Sequence, residues 1–234
     1  METQRILLLT TANSYRNPAF LAAAARLGVA VITAIDMPAA LASSSTTQLG
    51  LDFADPARAT AAIVAFAAQQ PLRAIIAVDD SGSQLAAAAS AALGLQHNDP
   101  AAAEAARDKY VMRAALARHG VPVPDFRLCS TGDDLAALAE QIAYPCVVKP
   151  LRLNGSRGVM RADDPAEFVA AARRLAALLE TTEPQPGPKP FLVEQFIPGF
   201  EVALEGLLDQ GALRVLALFD KPDPLDGPFF EETI

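Results

Sequence analysis

Short aliphatic runs alternate with helical stretches over roughly the first hundred residues, and this alternation limits the fold more than any other feature. Residues 6–9, 29–34 and 74–78 have the apolar character of strands that are buried on both faces. A helix lies between successive runs, and Asp55 followed by Pro56 is a typical helix start. The alternation predicts an α/β fold with a parallel, doubly wound sheet.

The pattern changes after Pro100, where helices and strands no longer alternate regularly. A helix is predicted at 101–119, and strands are predicted around a loop at 152–158 and beyond a turn-rich segment at 183–190. We therefore expect a parallel α/β domain over residues 1–100, followed by a partial α+β domain. The second domain would have one part at 101–184 and an incomplete part at 185–234.

Charge and composition exclude several classes of protein. The 234 residues carry a net charge of −8, which argues against a broad surface for nucleic acid or for an anionic membrane. The sequence has neither a signal peptide nor a stretch apolar enough to span a membrane. The two cysteines, Cys129 and Cys146, lack metal-ligand spacing, so we expect a reducing, cytoplasmic setting and no nucleic-acid or membrane partner.

The stretch YPCVVKPLRLNGSRGV places Lys149 at the end of an apolar run and just before a loop of small residues. The stem of Lys149 is expected to pack, and its ammonium then needs an anion. Gly155 and Gly158 let backbone N–H groups approach an anion, while Ser156 and Arg157 add a hydroxyl and a charge. The set suits a polyphosphate; the alternative is a hairpin turn beside a lysine that reaches solvent.

Three further charged residues strengthen the phosphate interpretation. Lys109 lies near the start of a helix, where a cation opposes the helix dipole, so a nearby phosphate would explain it. Glu194 ends an apolar strand, and Glu201 follows beyond a Pro-Gly turn. These carboxylates could accept hydrogen bonds from an amino group and from a ribose diol. Ordinary solvated charges are the alternative for all three residues.

These motifs, in this order, resemble the ATP-grasp superfamily, which includes biotin carboxylase, carbamoyl phosphate synthetase, D-alanine–D-alanine ligase and carboxylate–amine ligases. The resemblance covers about residues 100–234, and the α/β region before it resembles the family's pre-ATP-grasp domain. The residues that carry it are Asp108-Lys109 with Gly120-Val121-Pro122, then Pro145 to Pro150 with the Gly-Ser-Arg-Gly loop, then Glu194 and Pro198-Gly199-x-Glu201.

The resemblance implies a role for each motif. Lys109 and Lys149 would contact ATP phosphates, and Glu201 would accept hydrogen bonds from the ribose hydroxyls. Two residues are assigned to catalysis, Lys221 near the transferred phosphate and Arg157 in the lid. The remaining nucleotide-binding residues would be the phosphate lid, Asn154, Gly155, Ser156 and Gly158, and the adenine-binding set, Glu194, Gln195, Phe196 and Ile197.

The resemblance also implies the reaction and its ligands. An ATP-dependent ligase of this family activates a carboxylate as an acyl phosphate, which an amine or another nucleophile then attacks, and it uses Mg²⁺. The usual Glu-x-Asn metal motif does not occur before Ile234, so we assign no metal ligand, interpret the chain as C-terminally truncated and expect these ligands beyond residue 234. A homodimer is one assembly that the resemblance allows.

Two other functions stay open on the sequence. The chain could be an ATP-binding module or fragment without turnover, which ATP consumption would distinguish from a ligase. It could instead be a sugar-nucleotide or NAD enzyme, although no Gly-x-Gly-x-x-Gly is present. On the substrate side, Asp79 and Asp80 either cap the helix that starts at Ser83 or bind an amine, and we favour the cap.

Overall fold

The computed structural model describes residues 4–37, 41, 47–183 and 185–221. The chain divides into two compact units, Met1–Arg107 and Asp108–Ile234. The first unit has the α/β character that the sequence predicts, and the second is built on antiparallel strands. The division of the chain into three parts stays a prediction.

The first unit is a four-stranded sheet with the order β3-β2-β1-β4, and every pairing in it is parallel. The α/β prediction for this region is therefore confirmed. Its elements are β1 (Arg5–Thr10), α1 (Asn17–Arg26), β2 (Ala30–Asp36), β3 (Gln48–Leu51), α2 (Pro56–Gln69), β4 (Ala74–Ala77), a 3₁₀ turn (Asp80–Gly82), α3 (Ser83–Ala92) and α4 (Pro100–Arg107).

The core of the first unit forms around the central strand β1. Leu7 and Leu9 of this strand are fully buried, and they belong to one apolar cluster with Ile63 of α2 and Leu85 of α3. The predicted start of α2 is confirmed, because Asp55 accepts a hydrogen bond from the backbone N–H of Arg58 at 3.1 Å. This cap satisfies one of the N–H groups that a helix start leaves unpaired.

Asp79 does not cap the helix that starts at Ser83, so the sequence expectation for this residue is wrong. The N-cap of α3 is Gly82, with no side-chain cap hydrogen bond. The Asp79 carboxylate instead accepts hydrogen bonds from the Ser14 hydroxyl at 2.9 Å and the Thr11 hydroxyl at 3.2 Å, and it pairs with Arg16 at 3.2 Å. Asp79 therefore fixes the loop that follows β1.

The second unit contains two antiparallel sheets. One has four strands in the order β5-β8-β6-β7, and the other is a two-stranded ribbon of β9 and β10. The elements are α5 (Lys109–Arg118), β5 (Phe126–Ser130), α6 (Leu135–Ala139), β6 (Cys146–Pro150), β7 (Met160–Ala162), α7 (Pro165–Thr182), β8 (Pro190–Gln195), β9 (Glu201–Asp209) and β10 (Ala212–Lys221).

The four-stranded sheet buries one face against α7. Val148 and Phe191 lie on this face and join Phe168 and Leu175 of α7 in one apolar cluster. Side chains alternate between the two faces of a strand, so Lys149 and Glu194 belong to the opposite face. The sheet therefore has the apolar core on one face and charged side chains on the other.

The predicted helix at 101–119 is two helices, α4 and α5, that meet at Asp108. The backbone of Asp108 is extended, and its carboxylate accepts hydrogen bonds from the N–H groups of Tyr110 at 3.0 Å and Val111 at 3.1 Å. An aspartate that bonds to the backbone in this way starts a helix more favourably than it continues one. Lys109 is consequently the first residue of α5.

Gly158 lies where the loop between β6 and β7 packs against α7. It has a φ of 80°, and a Cβ added there would lie 2.8 Å from Leu178 Cδ2 and 3.1 Å from Leu175 Cδ1. Gly155 has a comparable φ of 62°, but a Cβ there would meet nothing within 4 Å. An alanine at Gly155 would therefore introduce backbone strain alone, whereas an alanine at Gly158 would introduce backbone strain and a close contact with α7.

We expect Gly158→Ala to lower the free energy of unfolding by about 2–3 kcal/mol, since left-handed strain and overpacking add. Gly155→Ala, with strain alone, should cost about 1 kcal/mol. Urea unfolding followed by far-ultraviolet circular dichroism measures both. Equal costs would show that the loop does not pack against α7 in solution.

Candidate functional site

Three charged side chains meet on the face of the four-stranded sheet that lies opposite α7. Glu194 of β8 binds Arg113 of α5 through Oε1 to Nε at 2.7 Å and Oε2 to Nη2 at 3.2 Å. Lys149 of β6 reaches the same carboxylate, with Nζ 2.5 Å from Oε2. The side chains of Glu194, Lys149 and Arg113 are 5%, 13% and 21% exposed. One buried carboxylate thus serves two cations.

Lys109 lies beside this group and holds the start of the loop after β6. Its Nζ donates to the carbonyl oxygens of Leu153 at 2.8 Å and Leu151 at 3.4 Å, and its backbone N–H donates to Leu151 at 3.1 Å. Arg152 of the same loop pairs with Asp108 at 3.5 Å. The loop is therefore attached to the N-terminal end of α5 by side-chain and backbone contacts.

The electrostatic environment disfavours the charged form of both lysines. Burial lowers the pKa of Lys109 below its usual value, and the charge of Lys149 lowers it further against the opposing effects of Asp108 and Glu194. Burial also lowers the pKa of Lys149, while the Glu194 carboxylate raises it and Arg113 lowers it. A negatively charged ligand at this position would stabilise the charged form of both lysines. The site is therefore a local concentration of positive charge within a protein of net charge −8.

The predicted lid forms one contiguous turn between β6 and β7. Gly155, Ser156 and Gly158 all have positive φ, at 62°, 47° and 80°. The lid residues Asn154 to Gly158 line a cavity of about 490 Å³ together with Met160, Arg174 and Leu178. The Arg157 side chain is exposed. The turn thus has the backbone geometry that the sequence predicts for it.

The predicted adenine-binding segment continues from Glu194 along the end of β8. Gln195 is the last residue of the strand, and the Phe196 N–H donates to the Pro145 carbonyl at 3.0 Å. The Arg161 guanidinium lies over the Phe196 ring, 4.4 Å from its centroid. Ile197 is exposed. The segment therefore places a fixed backbone and an apolar side chain directly after the buried carboxylate.

Glu201 and Lys221 are brought together at the base of the ribbon. They are register partners of β9 and β10, and Lys221 Nζ lies 2.6 Å from Glu201 Oε1. Lys221 is 11% exposed at its side chain, whereas Glu201 is 40% exposed. The predicted ribose carboxylate and the predicted catalytic lysine are thus a pair in this structure.

No contact in the site was predicted from the sequence for Arg113, Asp108 or Arg152, although Asp108 is part of the Asp108-Lys109 motif. Arg113 follows Lys109 by four residues on α5, a spacing that puts both on one helix face, so the signal was present. Its partner Glu194 is 81 residues away, and no local pattern indicates that pairing. The cap at Asp108 could have been read from the aspartate that precedes the helix.

Neither a metal site nor a membrane span is found in the part of the chain that the structure describes. No group of three or more His, Cys, Asp or Glu side chains there could hold a metal ion. Among those same residues, no helix has the length and apolarity to cross a membrane. Glu231 and Glu232, near the predicted metal end, lie outside the described residues.

Two family models match this chain, one within each of its two units. Residues 21–97 match the ATP-grasp N-terminal domain, and residues 142–234 match the ATP-grasp domain. A D-alanine–D-alanine ligase from Ralstonia pickettii is 33% identical over 97 residues, which are 42% of this chain and 27% of that ligase.

Solved structures are similar over almost the whole chain. An L-amino acid ligase from Bacillus licheniformis is 25% identical with a TM-score of 0.73, over 99% of this chain and 56% of that one. An N5-carboxyaminoimidazole ribonucleotide synthetase shares the fold, at 14% identity with a TM-score of 0.65, over 95% of this chain and 55% of that one. The chain thus spans about half the length of these two proteins.

We expect Glu194→Gln to lower the free energy of unfolding by about 3 kcal/mol at neutral pH, because it leaves buried cations without their anion. Without the Glu194 charge, the pKa of Lys149 in the folded state falls further below 10.5. Between that lowered pKa and 10.5 the unfolded chain holds more protons than the folded one, so the stability of the variant rises with pH in this window and the deficit shrinks.

Urea unfolding at neutral pH and at about pH 9.5 tests this expectation. Glu205→Gln, the same change at an exposed position of β9, is the matched control and should have little effect. A deficit that is absent, or that grows with pH, would contradict the charge account of this site.

Proposed function

Because this chain belongs to the ATP-grasp superfamily over residues 21–97 and 142–234, we propose that it is the nucleotide-binding part of an ATP-dependent ligase. The observation that carries this proposal is the excess of buried positive charge around Glu194. Lys149 and Arg113 share that one carboxylate, and the charge of Lys149 lowers the pKa of Lys109 nearby. A polyphosphate would supply the missing negative charge.

The proposed nucleotide contacts follow from this arrangement. Lys109 and Lys149 would donate to phosphate oxygens, and the turn from Asn154 to Gly158, with Arg157, would cover them. Glu194 would accept from the adenine amino group, beside the backbone of Gln195 to Ile197. Glu201 would bind the ribose hydroxyls, and Lys221 would approach the transferred phosphate. These roles are supported by the low exposure of Lys149 and by the position of the adenine-binding segment directly after Glu194.

The proposed reaction has two steps. A carboxylate oxygen attacks the γ-phosphorus, an O–P bond forms, and ADP leaves, which gives an acyl phosphate. An amine then attacks the carbonyl carbon, the C–N bond forms, the amine loses a proton and inorganic phosphate leaves. The residues of this chain hold and orient the phosphates and compensate charge that develops on them. Mg²⁺ would compensate part of that charge when it is bound.

The substrates are proposed from the relatives' names. A D-alanine–D-alanine ligase and an L-amino acid ligase are among the similar proteins, so amino acids are the first carboxylates and amines to test. We also propose a cytoplasmic protein that can form a homodimer. Binding of ATP without turnover is the alternative function, and ATP consumption in the presence of amino acid pairs separates it from a ligase.

We expect this chain to bind a nonhydrolysable ATP analogue, and Lys149→Met to weaken that binding about 10- to 100-fold. A charge-assisted hydrogen bond is worth about 1.5–3 kcal/mol, and Glu194 keeps Arg113 in this variant, so the fold should persist. Calorimetric titration measures the affinity. Arg173→Met removes an exposed charge of α7 and is the control. A folded wild-type chain that binds no analogue would contradict the proposal.

We expect the wild-type chain to prefer ADP over 2′-deoxy-ADP, and Glu201→Gln to reduce this preference. A neutral amide accepts a hydrogen bond from a hydroxyl less strongly than a carboxylate does, by about 1 kcal/mol or more. The two titrations on each variant give the preference directly. Glu205→Gln, on the same strand, should leave it unchanged; an unchanged preference in Glu201→Gln would remove Glu201 from the ribose site.

A further inference from the structure

Glu194 is held unequally by its two cations. Arg113 contacts both carboxylate oxygens, at 2.7 Å and 3.2 Å, whereas Lys149 contacts only Oε2, at 2.5 Å. The two cations also come from different elements, α5 and β6. Arg113 therefore fixes the plane of the carboxylate, and Lys149 can leave without releasing it.

Binding of a nucleotide would change the charge that surrounds Lys149 and Glu194. The Lys149 ammonium has three donors and uses one of them on Glu194 here, so a phosphate that binds the same ammonium competes with Glu194 for its single positive charge. A carboxylate that is 5% exposed would then be only partly compensated if Lys149 were its sole partner. A buried charge that is only partly compensated is costly, and that cost would be subtracted from the affinity for the nucleotide.

We propose that Arg113 is a positioning residue that keeps a cation on Glu194, and keeps its carboxylate plane fixed, while Lys149 turns to the nucleotide phosphates. This inference rests on the proposed function. A guanidinium suits the task because it stays protonated and offers two parallel donors. Its helix is also fixed, since Asp108 caps the first turn of α5.

The arrangement also sets the selectivity for the base. A fixed carboxylate with a free lone pair accepts from the amino group of adenine but repels the carbonyl oxygen of hypoxanthine. Loss of Arg113 would let Glu194 retain Lys149 or turn away from the base. Arg113 would thus act on base selectivity through Glu194, without touching the base.

A double-mutant cycle tests this inference with ADP and inosine diphosphate as the probes. We expect Arg113→Met to weaken ADP binding at least about tenfold, to weaken inosine diphosphate binding less, and so to reduce base selectivity. In a Glu194→Gln background the same change should alter ADP affinity less than about twofold, because a neutral amide needs no cation. Arg113→Lys, with a single donor group, should recover part of the affinity.

Unfolding measurements separate positioning from a structural role. In the unliganded chain Glu194 still has Lys149, so Arg113→Met should cost less in stability than in ADP affinity. Arg118→Met removes an exposed arginine from the last turn of α5 and should change neither ADP affinity nor selectivity.

The possible failures are distinct. If the wild-type chain binds no ADP, the proposed function fails and this inference fails with it. If the wild type binds ADP and Lys149→Met weakens it, but Arg113→Met keeps wild-type affinity and selectivity, only the role of Arg113 is wrong. An undiminished effect of Arg113→Met in the Glu194→Gln background would also overturn it.

Discussion

The buried carboxylate of Glu194 is the interaction on which the charged face of the second unit depends. It lies on β8, the strand between β5 and β6, so Lys149 of β6 and Arg113 of α5 can both reach it. A single Glu194 oxygen, Oε2, accepts from both cations. The strand order therefore places a negative charge where it can hold two positive side chains at low exposure.

The low exposure of these cations lowers the free energy of unfolding, and it would favour the binding of an anion. Burial lowers the pKa values of Lys109 and Lys149, and a neighbouring cation lowers each further, Lys149 for Lys109 and Arg113 for Lys149, so folding loses free energy to keep these lysines charged. The loop after β6 recovers some of this loss by offering carbonyl oxygens to Lys109. An anion would recover more, because it adds the missing charge itself. The proposed role in phosphate binding follows from that imbalance.

The sequence predicts those features of the fold that depend on local patterns. The strand–helix alternation and the start of α2 at Asp55 are local and were found. β3 was missed because four residues that include Gly50 carry little pattern, and the break at Asp108 was missed because alanines continue the helical pattern on both sides. The pairing of Arg113 with Glu194 joins residues 81 apart and depends on strand order, which no single stretch of sequence specifies.

Two lysine–glutamate pairs contribute to the proposed site, and burial explains why, among the residues that the structure describes, a second cation is found at one pair and not at the other. Glu201 is 40% exposed, so water can solvate its carboxylate if Lys221 moves to a phosphate. Glu194 is 5% exposed and has little access to water, so it needs another charge when Lys149 moves. In its proposed role, Arg113 meets this need at the buried pair. The number of cations at each carboxylate thus follows from how much water that carboxylate retains.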